Sequence, residues 1–150
     1  MHFLGLLQIV FINHELFIGT LVKQVDTPEQ KIARFNVYSS QDLTLHYSFE
    51  FPCRLFRNCV VLKDSITVVV VTLVKGHDSI LAVDVIEKVH KYKFRPRVPK
   101  SQKEVVVSRL VANPSNPIQV GGFFLQVHSS WSVIILFSMK YDQVYSSVVQ

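Results

Sequence analysis

Long hydrophobic runs are missing from this 150-residue chain, whose apolar stretches end well short of the ~20 residues a membrane-spanning helix requires. No membrane span is expected. Cysteine is scarce: Cys53 and Cys59 are too few for a disulfide framework, and no CxxC or histidine cluster joins them in a zinc motif. Two ordinary thiols suit a reducing setting, nuclear or cytoplasmic. Five glycines and six prolines exclude collagen-like and linker-like chains. Charged residues make up 18% against 49% hydrophobic, which excludes a disordered, solvating sequence. Catalytic signatures are missing too: there is no GxSxG, HExxH, P-loop or dinucleotide glycine fingerprint. The six histidines lie far apart in sequence, none at the helical i, i+4 spacing of a metal site. No enzyme, metal or cofactor is expected.

What is present is β-forming sequence with one concentrated patch of positive charge. The net charge is +5, yet seven basic residues and no acidic one fall between Lys88 and Lys103, leaving nine basic to eleven acidic elsewhere. Such a stripe reads either as a contact surface for something anionic or as a solvated strand end. At the amino terminus, the apolar-rich stretch Phe3 to Ile12 has no preceding positive charge and no small-residue cleavage site after it. It reads as a buried first strand or short helix, with a signal or anchor left open.

Strand signals then recur. Leu16 to Val25 is a β-rich run closed by the turn residues Asp26-Thr27-Pro28. Lys31 to Tyr38 follows, with Arg34, Asn36 and Tyr38 on one face and Ala33, Phe35 and Val37 on the other. Leu43 to Phe51 alternates throughout: Leu43, Leu45, Tyr47, Phe49 and Phe51 share the apolar face, and His46 falls on the polar, solvent-facing one. Pro52 to Asn58 interrupts the pattern and could hold a short helical turn. Ser65 to Val74, apolar on both faces, suits a strand buried on both sides or lining a barrel. Lys75 to Ser79 reads as a hairpin loop containing an exposed His77-Asp78 pair, and Ile80 to Val89 as the returning strand.

Three strands in meander, an interruption and a two-strand hairpin make the layout of the five-stranded OB barrel. Over Leu16 to Phe94 the chain resembles an OB-fold protein. Gly19, within Ile18-Gly19-Thr20-Leu21-Val22, resembles the glycine that lets a first OB strand bend around a small barrel. Phe51-Pro52-Cys53-Arg54-Leu55-Phe56-Arg57, with Lys75-Gly76 and Ile80-Leu81-Ala82, resembles the haem chaperone of cytochrome c maturation. That resemblance implies a haem-binding histidine after the last strand, here His90, and a tyrosine four residues on. Position 94 is instead Phe94, the tyrosine is Tyr92, and Lys91 stands where the family has an acidic residue.

Beyond Phe94 the character changes. Prolines 96 and 99 interrupt strand pairing. Further strands are expected at Glu104 to Val111, Gln119 to Val127 and Trp131 to Met139, across a loop at Asn113 to Pro117. The expected fold is therefore all-β. One form is an OB-like barrel over residues 1–94 with a β-rich extension over 95–150; the other is a sandwich of about nine strands.

The function expected of the barrel is binding without catalysis. OB domains hold single-stranded nucleic acid through a basic groove and aromatic platforms. Lys91, Tyr92, Lys93, Phe94, Arg95 and Arg97 interleave charge with rings, and Arg34 and Tyr38 could add a second contact. Single-stranded nucleic acid is the expected ligand, contacted directly or through a nucleic-acid-maintenance complex that the chain scaffolds, with a protein partner engaged through the apolar segment Trp131 to Met139. The alternatives are a β-sandwich protein–protein interaction module and a haem-binding chaperone.

Overall fold

The computed structural model describes residues 5–95, 107–112, 119–125, 132–138 and 143–149. Within them the chain is all-β and antiparallel, without a helix. Twelve strands form three four-stranded meanders in succession. β1 (Leu6–Ile12), β2 (Phe17–Asp26), β3 (Lys31–Ser39) and β4 (Leu45–Pro52) make the first sheet. β5 (Val60–Val61), β6 (Thr67–Val74), β7 (His77–Asp84) and β8 (Val89–Phe94) make the second, and β9 (Val107–Ala112), β10 (Gln119–Leu125), β11 (Ser132–Ser138) and β12 (Gln143–Val149) the third.

The strands expected between Leu16 and Phe51 and in the later hairpin are present, each within a four-stranded antiparallel sheet. β2 is flanked by β3 and by β1, whose Ile12 lies opposite Phe17. The β6–β7 hairpin is flanked by β5 and β8. Among the described residues no ladder closes β2, β3, β4, β6 and β7 into a ring. The strand count exceeds the nine or so expected of a sandwich. The segment after Pro52 carries no helical turn.

Turn chemistry explains where strands end. Lys75 and Gly76 both have positive φ, 50° and 78°, and Val74 faces His77, so the hairpin turns on two residues instead of five. Asp78 is thereby drawn into β7 and buried. Ile80 to Val89 is not one strand: the Asp84 carboxylate accepts from the Ile86 and Glu87 amides at 3.0 and 2.9 Å, forming an Asx-type turn that separates β7 from β8. Before β4, the Asp42 carboxylate accepts from the Thr44 hydroxyl (2.8 Å) and amide (3.1 Å), which lowers its pKa. Leu43 sits there with φ 58° and is exposed, as is Leu45, so neither joins Phe49 and Phe51 in the core.

The core lies between sheets. Ile12, Leu21, Phe35, Val37, Phe49 and Phe51 of the first sheet pack against Val68, Val70, Leu81 and Val83 of the second. Each fully buried side chain of this kind contributes ~1.5–3 kcal/mol. Gly19 is needed for packing instead of bending: a Cβ there would collide with the Phe35 ring and stand 2.9 Å from Ile12 Cδ1 and Val10 Cγ2. The opposite face of the second sheet is buried as well, through Val69, Val71, Ile80 and Ala82. The run that is apolar on both faces is thus a strand covered from both sides.

Candidate functional site

The cationic residues named from the sequence fall into two separate places. Lys91, Tyr92, Lys93 and Phe94 lie in β8, the last strand of the second sheet, and Arg95 follows it. Lys91, Lys93 and Arg95 are exposed, and Tyr92 is at the margin of exposure. Lys91 is already engaged: its ammonium is 3.5 Å from the Asp84 carboxylate and 3.3 Å from the Thr67 hydroxyl. The β7–β8 register shifts between His90 and Tyr92, which leaves Lys91 as the unpaired extra residue. A bulge and lysines on an outer strand are the usual guards against unwanted strand pairing. Arg97 lies outside the described residues.

Arg34 and Tyr38 are elsewhere, in β3 on the outer face of the first sheet. There the Arg34 guanidinium grips the Glu50 carboxylate across the ladder, and Ser48 donates to Asn36 at 2.8 Å. These groups satisfy one another. His90 packs its ring edge-on against Phe49, centroids 5.8 Å apart. His46, expected to face solvent, instead packs on Phe17 at 4.8 Å, with Nε2 buried. Among the described residues no three His, Cys, Asp or Glu side chains converge as metal ligands, and no helix is long and apolar enough to cross a membrane.

Burial pushes both thiols up, Cys53 to about 11 and Cys59 to about 12. Asp78 is fully enclosed; its carboxylate accepts from the Val107 amide at 2.8 Å and lies 3.9 Å from Arg54 Nε, so it links the second sheet to the third. A shallow groove between Gln30, Lys31, Pro52, Cys53, Arg54 and Leu73 has its cations engaged by Asp26 and Asp78.

Two further links between sheets are made by uncharged side chains, of which composition gives no hint. The Gln8 carboxamide in β1 donates to the Cys59 carbonyl (3.0 Å) and accepts from the Cys59 amide (2.9 Å). One residue earlier, the Asn58 carboxamide repeats the bond on the third sheet, donating to the Leu110 carbonyl (2.9 Å) and accepting from its amide (3.1 Å). Arg57 Nε adds a bond to the Val107 carbonyl at 2.9 Å. The second sheet therefore has its backbone gripped from the first and reaches forward to grip the third. β1 and β5 are in contact, as are β5 and β9, so the first strand of every meander lies against the next.

The outer face of the first sheet has no cover among the described residues. Ile12 and Val10 point inward, whereas Ile9 and Phe11 point outward and are 55% and 59% exposed. Partly buried Ile18 and Val22 of β2 lie beside them on the same face, and its far half carries the Arg34–Glu50 and Asn36–Ser48 pairs. Period-two alternation in Leu6 to Ile12 could have revealed this surface, since a strand apolar on both faces needs cover on both. The apolar segment expected to engage a partner, Trp131 to Met139, forms β11 over Ser132 to Ser138; Trp131 and Met139 lie outside the described residues. No family model and no curated protein matches the sequence.

Proposed function

We propose that the chain is a non-enzymatic protein–protein interaction module, built as a propeller-like stack of four-stranded blades and docking its partner on the outer face of the first sheet. The observation that carries this is the row of Ile9 and Phe11, more than half exposed on a strand whose other face is core. Single surface apolars are ordinary, whereas an apolar row continuous with a partly buried neighbouring strand marks an interface. Three meanders in series, with first strands adjacent, fit the blade pattern of a propeller. The five-strand OB-like barrel has less support, because both edges of β2 are taken by β1 and β3.

The nucleic-acid reading keeps Lys93, Arg95 and Tyr92, but Lys91 and Arg34 already face carboxylates and Tyr38 lies on another sheet. Haem binding has only His90, stacked on Phe49. Photo-crosslinking separates these readings. A benzophenone side chain at Phe11 should give protein adducts that the same probe at Gln41, in an exposed turn, does not. No adduct at Phe11, together with a nuclease-sensitive adduct at Tyr92, would reverse the assignment in favour of nucleic acid.

A further inference from the structure

We infer that the partner on this face is a second copy of the chain, whose third sheet packs head-to-tail on the first. This rests on the interaction-module reading and names its occupant. Both interfaces within the chain follow one rule. A side chain in the first strand of one sheet, or in the segment leading into it, binds backbone at the start of the next, and the residue beside that backbone makes the next forward bond: Gln8 to Cys59, then Asn58 to Leu110. Continued forward, the rule reaches Arg109, the neighbour of Leu110. Continued backward, it reaches Ile9, the neighbour of Gln8.

Both predicted ends are open. In β9, Val107 and Leu110 are buried, whereas Arg109 is exposed and Val111, on the same face, is 42% exposed. In β1, Ile9 and Phe11 are the most exposed apolar side chains. The third sheet thus offers a donor face with a cation and an apolar side chain, and the first an acceptor face with two apolar side chains. Arginine in place of a carboxamide has precedent here, since Arg57 already binds the Val107 carbonyl across a sheet interface. An arginine offers only donors, so its target is the Ile9 carbonyl.

A contact between unlike faces propagates, and it closes when the rotation returns to the start. Two copies of the described sheets make six, inside the ~4–8 blades of closed propellers. A two-fold pair would therefore use both open faces twice and leave neither exposed.

The test is sedimentation of the full 150-residue chain alone, of Phe11→Lys, of Arg109→Glu, and of an equal mixture of the two variants. Both positions are solvent-facing in one copy, so circular dichroism should report intact folds. The wild type is expected as a dimer and each variant as a monomer. The mixture should associate again, because one variant keeps a sound third sheet and the other a sound first sheet. A monomeric wild type, a dimer that survives both substitutions, or two variants that stay apart when mixed would each overturn the inference. Phe11 crosslinked to a different protein would do so too, while leaving the interaction module standing.

Discussion

Replacing Gln8 with alanine should loosen the first sheet from the second with little change to either sheet's own ladder. The carboxamide makes two bonds to Cys59, which is 1% exposed and so has no water to replace them. Leaving a buried amide and carbonyl unpaired costs ~1–3 kcal/mol each. Some relaxation is available because Gln8 is only half-buried, so ~2–4 kcal/mol is the expected loss. At this chain length each kcal/mol moves the melting midpoint by ~2–4 °C. Urea unfolding followed by circular dichroism would measure the loss, and Asn58→Ala should give a comparable one through Leu110. A loss below ~0.5 kcal/mol in Gln8→Ala, the scale of an ordinary surface substitution, would refute the idea that the carboxamide fastens the sheets.

Gly19→Ala should destabilise by ~1–3 kcal/mol in the same assay, because its methyl group would press on Phe35, Ile12 and Val10. Asp78→Ala removes the acceptor of the buried Val107 amide and a carboxylate beside Arg54, and should cost ~2–4 kcal/mol with increased proteolysis after residue 95. The thiols give a pH dependence of known sign: their folded pKa values, about 11 and about 12, lie above the usual 9.0, so the unfolded chain loses those protons first. Stability is full below pH 9 and falls as the pH rises toward 11–12, by up to ~1.4 kcal/mol per unit from Cys59; Cys59→Ala should flatten the fall.

Strands were legible in the sequence because alternation is a local property. Phe35, Phe49 and Phe51 could be assigned to the core from their spacing alone, and the doubly apolar Val68 to Val71 announced burial on both faces. Pairing was not legible, since it depends on which edges meet. A four-stranded meander that begins at β1 reads in sequence much like the start of a barrel. Short polar cues were the most misleading. Asp84 fell inside the strand expected over Ile80 to Val89 but forms the turn that ends β7, and Asp78 looked like an exposed loop residue but is enclosed. The candidate site suffered most. Charge drew attention to Lys91 and Arg34, whose carboxylate partners lie seven and sixteen residues away in sequence, whereas the organising residues Gln8 and Asn58 are uncharged and singly placed.

The forward-reaching carboxamide has a bearing on how such a chain could change over time. Since the second sheet brings both the grip for its successor and the backbone for its predecessor, an inserted copy of it would need no adjustment beyond its own two faces. Loss of the middle unit would be harsher, stripping cover from Phe35 and from Leu110 at once. Growth by duplication is therefore easier for this architecture than internal deletion, and length variants among its descendants should differ by whole meanders, not by single strands.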